Sequence, residues 1–109
     1  MEKKDLKPAI VFRYFEEVCQ VPRPSKKEEK IRAYLLDFAQ KHNLACKTDE
    51  VGNVLMFKPA TAGKENLKTV ILQSHMDMVC EKNKDTQHNF DTDPIETYID
   101  GEWLKAKGT

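Results

Sequence analysis

A histidine and an aspartate two positions apart, His75 and Asp77, are the residues of this sequence best suited to chemistry. A neutral imidazole binds a metal through one ring nitrogen, and a carboxylate behind the ring fixes its tautomer and raises its basicity. Zinc accepts such ligands but needs three or four of them. The pair indicates part of a metal-dependent hydrolase site, and the alternative is a histidine that only hydrogen-bonds the aspartate.

The stretch before the pair has the composition of a buried strand. Residues 68–74 are apolar and β-branched at their centre and end at the small residue Ser74. In open α/β sheets, ligands bind just beyond the carboxyl ends of the strands. We therefore predict a central strand over 68–74, with His75 and Asp77 in the mouth of the sheet.

Two helices are predicted before this strand. Apolar residues at near-helical spacing predict the first over 9–21, and the Pro-rich turn that follows ends it. Ser25 and Glu28 match a capping box, so the second helix is predicted from Ser25 to about His42. Its buried stripe consists of four apolar residues: Ile31, Leu35, Phe38 and Ala39.

Short strands complete the α/β class that we expect, which is two helices followed by a mixed sheet and a hairpin. Asp49-Glu50-Val51-Gly52 predicts a turn, and Asp100-Gly101 is the strongest local signal for a hairpin. The strands that flank these turns are predicted over 44–48 and 53–58, and over 97–99 and 102–104.

The composition argues against several classes of protein. The 109 residues include 18 Lys and Arg and 18 Asp and Glu, a balance that argues against nucleic acid or an anionic membrane as partner. No apolar run approaches the length of about 20 residues that a membrane helix needs, and the charged N-terminus is unlike a secretory signal. Three widely spaced cysteines without a CxxC pair indicate reduced thiols and a cytoplasmic protein.

Other candidate sites have less support. A zinc cluster of His75, Cys80 and His88 is an alternative, but its spacing matches no standard finger or knuckle. We instead expect Cys80 to be a small buried thiol, His88 an exposed loop residue, and Cys19 a buried structural thiol on the first helix. The sequence has neither a Gly-rich phosphate loop nor a GxSxG nucleophile elbow.

The run Ser74-His75-Met76-Asp77-Met78-Val79-Cys80-Glu81 closely resembles the aminoacyl-histidine dipeptidases, which belong to the dinuclear-zinc peptidase family of carboxypeptidase G, aminoacylase and tripeptidase T. The resemblance extends in order along the whole chain. The other matching segments are 12–17, 21–25, 49–54, 91–95 and the hairpin at 100–101.

This resemblance implies a role for each residue of the pair. His75 would be a terminal ligand of one of two zinc ions, with Co or Mn as alternative metals, and Asp77 the catalytic-site carboxylate that orients His75. In the family, two zinc ions polarise the scissile carbonyl and activate a bridging water, and a glutamate acts as general base. The substrates would be Xaa-His and other dipeptides, and the full-length protein a cytoplasmic homodimer.

The sequence offers no match for the family's bridging aspartate, its general-base glutamate with the neighbouring ligand, or its distal histidine. We therefore expect residues 1–109 to be an incomplete N-terminal portion of the catalytic domain, without the lid or dimerisation domain and inactive alone. Exposed apolar edges should make this portion prone to self-association. The alternatives are a tripeptidase or N-deacylase of the same family, and a non-catalytic α/β interaction module.

Overall fold

The computed structural model describes residues 1–109, which divide into two units. The first unit consists of Met1–Ile31 and Asp77–Thr109, and the second of Arg32–Met76. The elements in chain order are a short 3₁₀ helix (Lys3–Asp5), α1 (Ala9–Cys19), α2 (Glu29–Lys41), β1 (Ala45–Thr48), β2 (Val54–Phe57), β3 (Thr97–Asp100) and β4 (Trp103–Ala106). Neither α-helix meets the requirements of a membrane-spanning segment.

The first helix, α1, begins after Pro8 and ends at Cys19, slightly earlier than the sequence predicts. The Gln20 N–H closes its last turn by donating to the Glu16 carbonyl at 3.2 Å. Only 3% of the Cys19 surface is exposed. Burial raises the pKa of the Cys19 thiol, and the neighbouring Glu16 carboxylate raises it further. The prediction of a buried structural thiol is therefore confirmed.

The second helix, α2, begins at Glu29 rather than at Ser25. Lys26 has a left-handed φ of 70°, which a continuous helix does not allow, so the helix starts after it. The predicted buried stripe is confirmed, because Ile31 and Ala39 are 2% and 1% exposed and the other two members of the stripe are half-buried.

Strands β1 and β2 form an antiparallel pair in the second unit, as predicted. The carboxylate of Asp49 closes the turn between them, since its Oδ1 accepts the N–H groups of Val51 at 3.1 Å and Asn53 at 2.8 Å. The side-chain amide of Asn53 and these backbone N–H groups lower the pKa of Asp49. Gly52 completes the turn with a φ of 92°, and its carbonyl accepts the Nε of Arg32 at 3.0 Å.

Strands β3 and β4 form the predicted hairpin in the first unit, but its loop lies one residue later than the sequence predicts. Asp100 pairs with Trp103, so Gly101 and Glu102 form the two-residue loop. Gly101 has a φ of 60° and Glu102 has no positive φ, which is the pattern of a type II′ turn with glycine in the first position. The position of the glycine therefore sets the register of the hairpin.

The predicted strand over 68–74 is not formed, and this prediction is wrong for the structure. None of its backbone groups pairs with another strand, and Val70, Ile71 and Leu72 are 79%, 81% and 92% exposed. A strand requires a partner for its backbone hydrogen bonds, and both sheets pair only strands that are adjacent in sequence. The chain therefore contains two separate antiparallel pairs instead of a mixed sheet, while the order of helices, strands and hairpin agrees with the α/β prediction.

Candidate functional site

In the first unit, Asp77 is held by a serine that lies far from it in sequence. The Ser25 hydroxyl donates a hydrogen bond to Asp77 Oδ2 at 2.5 Å, the short end of the range for a hydroxyl and a carboxylate. Ser25 is exposed and Asp77 is half-buried. The Asp77 carboxylate therefore has a hydroxyl partner that this chain itself provides.

The backbone around this contact is bonded as well. Met78 donates its N–H to the Arg23 carbonyl at 2.9 Å, and the Met78 carbonyl accepts the Ser25 N–H at 3.3 Å. These bonds form a parallel bridge between Pro24 and Met78. The Arg23 guanidinium donates to the Val18 carbonyl in α1 at 3.1 Å. We refer to five residues as the Ser25 clamp: Arg23, Pro24, Ser25, Asp77 and Met78.

The Ser25 clamp explains why the predicted capping box is wrong. The Ser25 hydroxyl bonds to Asp77 and does not cap α2. Glu28 reaches back, but its Oε1 accepts the Lys26 N–H at 2.7 Å. Sequence reasoning assigned Ser25 to a helix start and missed its contact with the site, because Asp77 lies 52 positions away and no local pattern signals that pairing.

His75 lies in the second unit, directly after the unpaired stretch 68–74, and its side chain is exposed. An exposed imidazole is accessible as a ligand, which is what a metal-binding role requires. Because His75 and Asp77 belong to different units, the orientation of His75 by Asp77 stays a prediction.

Residues 1–109 do not assemble a whole zinc centre. No three side chains of His, Cys, Asp or Glu converge within residues 1–109. The chain therefore does not assemble the three or four ligands that zinc requires. The roles predicted for His75 and Asp77 at such a centre stay predictions.

The alternative cluster of His75, Cys80 and His88 is not formed. The Cys80 thiol is half-buried and lies 3.8 Å from the Met78 carbonyl. The expectation of an exposed His88 is wrong, because its ring packs edge-on against Phe90 with centroids 4.5 Å apart and is half-buried. Its Nε2 atom is buried without a hydrogen-bond partner.

The first unit also holds two cavities, with volumes of about 650 Å³ and about 490 Å³, and His88 lines the smaller one. In the larger cavity, the Lys3 ammonium donates to Glu16 Oε2 at 3.1 Å and to the Thr97 hydroxyl at 3.0 Å. Neither cavity is lined by a member of the Ser25 clamp. The cavities are therefore separate from the Ser25 clamp.

A curated relative matches nearly the whole chain. The chain is 48% identical over 108 residues to the cytosol non-specific dipeptidase of Escherichia coli strain K12. This match covers 99% of the chain but 22% of the relative, so the chain spans about a fifth of the relative's length.

A solved structure matches the chain equally well. The crystal structure of aminoacylhistidine dipeptidase from Vibrio alginolyticus superposes with a TM-score of 0.95 at 48% identity, and the match covers 100% of this chain and 22% of that one. No protein-family model matches the chain. The resemblance found in the sequence is thereby confirmed: over its whole length, this chain is similar to about a fifth of an aminoacylhistidine dipeptidase and of a cytosol non-specific dipeptidase.

Proposed function

We propose that this chain is the N-terminal portion of the catalytic domain of a zinc-dependent dipeptidase, which hydrolyses Xaa-His and other dipeptides. The proposal is carried by the 48% identity that extends over 99% of the chain to a protein named as a dipeptidase. The name of the matching solved structure, an aminoacylhistidine dipeptidase, supports Xaa-His dipeptides as substrates.

In this proposal, His75 is a terminal ligand of one of two zinc ions, and Asp77 orients its imidazole and raises its basicity. Zinc, when bound, polarises the scissile carbonyl and activates a water for attack on it. The chain contributes an exposed imidazole and a carboxylate that the Ser25 hydroxyl already holds. The remaining ligands and the general base come from parts of the full-length protein outside residues 1–109, so these residues alone are inactive.

The proposal also includes a compartment and an assembly. The word cytosol in the name of the Escherichia coli relative supports a cytoplasmic protein. Equal numbers of acidic and basic residues, 18 of each, argue against a polyanionic partner such as nucleic acid or an anionic membrane. The homodimer rests on the family resemblance alone.

The test is hydrolysis by the full-length protein, prepared free of metal and then loaded with zinc. We expect zinc-dependent release of histidine from an Xaa-His dipeptide, and no release by residues 1–109 under the same conditions. A tripeptide and an N-acyl amino acid are the matched substrates, because a tripeptidase or an N-deacylase of the same family would prefer one of them.

Two results would count against this proposal. If the zinc-loaded full-length protein hydrolysed none of the three substrates, the assignment as a peptidase would be overturned. Histidine release by residues 1–109 alone would overturn the claim that these residues hold an incomplete site.

A further inference from the structure

We propose that Ser25 is a positioning residue, whose hydroxyl holds the Asp77 carboxylate in the orientation that the metal site requires. The inference rests on the proposed function, in which Asp77 orients His75. It adds to the site a residue from the segment between the two helices, where the sequence predicts only a helix cap.

The contact has the geometry of a directional hydrogen bond. Ser25 Oγ lies 2.5 Å from Asp77 Oδ2, whereas the second acceptor within reach, the Met78 carbonyl, lies at 3.3 Å. A hydroxyl carries a single proton, and the shorter bond to the carboxylate takes it. The hydroxyl therefore constrains one oxygen of Asp77, and the carboxylate retains capacity for further bonds.

The backbone of the clamp is fixed independently of the serine side chain. The Ser25 N–H bonds the Met78 carbonyl at 3.3 Å, and the Met78 N–H bonds the Arg23 carbonyl at 2.9 Å. Both bonds join backbone atoms, so a substitution that removes only the hydroxyl leaves them in place. Loss of the hydroxyl should therefore remove this constraint on the Asp77 side chain without unfolding the turn.

A structural role at the start of α2 does not account for the hydroxyl. The helix begins at Glu29, and the Glu28 carboxylate rather than Ser25 receives a nearby backbone N–H, that of Lys26. Ser25 is also exposed, and an exposed hydrogen bond adds little to stability because water replaces it. The effect of losing the hydroxyl should appear in metal binding rather than in unfolding.

The chain offers a matched control for this contact. The Thr92 hydroxyl donates to Asp93 Oδ1 at 3.3 Å, and there too the hydroxyl residue is exposed and the aspartate half-buried. Thr92→Val removes this hydroxyl outside the clamp, whereas Ser25→Ala removes the hydroxyl within it. Ser25→Thr keeps a hydroxyl at the same position and tests for rescue.

The experiment measures the zinc affinity of the full-length protein and its variants by competition with a chelator. We expect Ser25→Ala to weaken zinc binding roughly tenfold, the lower end of the range for residues behind a metal ligand, while Ser25→Thr and Thr92→Val stay near wild type. Because Ser25 acts through Asp77, Ser25→Ala should add nothing further in an Asp77→Ala background. Unchanged zinc affinity in Ser25→Ala, or full additivity in the double variant, would overturn the proposal.

Crystal structures of the metal-free full-length protein and its Ser25→Ala variant separate this proposal from the proposed function. We expect the Asp77 carboxylate to leave its position in the variant, whether or not the protein hydrolyses dipeptides. An Asp77 side chain that keeps its position without the hydroxyl would overturn the role of Ser25, even in an active dipeptidase. Failure of the wild type to bind zinc would instead count against the proposed function. In that case, displacement of Asp77 in the variant would still show that the Ser25 hydroxyl positions the Asp77 carboxylate.

Discussion

Residues 68–74, which precede His75, and the Ser25 clamp differ in whether their backbone groups have hydrogen-bond partners. The backbone groups of 68–74 pair with no strand, and Leu72 is 92% exposed. In the clamp, Asp77 and its neighbour are bonded to residues 23–25 through side chain and backbone. The difference shows that this chain fixes the carboxylate of the pair with its own residues, whereas the stretch that leads to the histidine obtains no strand partner from the chain.

The largest expected effect is on kcat/KM, and it differs between the proposed zinc ligand, His75, and the residue proposed to orient it, Asp77. In the full-length protein, we expect His75→Ala to lower kcat/KM for an Xaa-His dipeptide more than about 100-fold, because a ligand is lost. Asp77→Ala should lower it roughly 10- to 100-fold, because only the orientation of the ligand is lost. Steady-state kinetics at saturating zinc measure both.

The control for these two variants is His42→Ala. The His42 ring packs against Phe38 with centroids 4.2 Å apart and lies outside the clamp, so its loss should leave kcat/KM near wild type. Full activity in His75→Ala or in Asp77→Ala would remove the corresponding site assignment.

The unpaired stretch predicts that residues 1–109 self-associate when they are produced alone. Its apolar, uncharged centre and its backbone groups, which pair with no strand, are a template for pairing with a second copy. Ile71→Lys should raise the concentration needed for association on the order of tenfold, because like charges opposed across strands repel. Analytical ultracentrifugation measures the shift, and Val51→Lys is the control because Val51 is 75% exposed in the turn of another hairpin. A monodisperse wild-type chain, or equal effects of both variants, would contradict this prediction.

Unlike residues 68–74, the strands of the β3–β4 hairpin find their hydrogen-bond partners within a few residues along the chain. Gly101 has a φ of 60°, where alanine costs about 1 kcal/mol. We expect Gly101→Ala to lower the free energy of unfolding of the full-length protein by about 1 kcal/mol in urea titrations, and Glu102→Ala to change it little. Wild-type stability of Gly101→Ala would show that the glycine does not set the turn.

The smallest expected effect is a loss of folding stability at acidic pH, which arises in the β1–β2 turn. Folding lowers the pKa of Asp49 from its ordinary value of 3.8, chiefly through the side-chain amide of Asn53. The unfolded chain then binds more protons than the folded chain, so this stabilisation is present above the unfolded pKa and is lost as the pH falls through the folded pKa.

The variant Asp49→Asn tests this effect because its side chain does not titrate. We expect the free energy of unfolding of the wild type to fall more steeply than that of Asp49→Asn below about pH 4. Urea unfolding at a series of acidic pH values gives both slopes, and identical slopes would show that the turn carboxylate does not contribute.

Local signals account for the parts of the fold that the sequence predicts. The turn at 49–52 is held by an aspartate that bonds residues two and four positions later, and the second hairpin turns on Gly101. The stripe of α2 follows from helical periodicity, and its ends, Ile31 and Ala39, are buried. In each case the cause and the element lie within a few residues of each other.

The features that the sequence does not predict depend on partners that lie far away in the sequence. An apolar pattern over 68–74 indicates a preference for burial, but it does not provide a strand to pair with. The spacing of His75 and Asp77 identifies them as candidates, yet it carries no information about Ser25, 52 positions from Asp77.

The most direct test of the proposed site is the number of zinc ions bound by the full-length protein, measured by elemental analysis after free metal has been removed. Wild type and His75→Ala are compared, with His42→Ala as the control. We predict two zinc ions in the wild type and in the control, and fewer in His75→Ala. An unchanged zinc content in His75→Ala would contradict the assignment of His75 as a metal ligand.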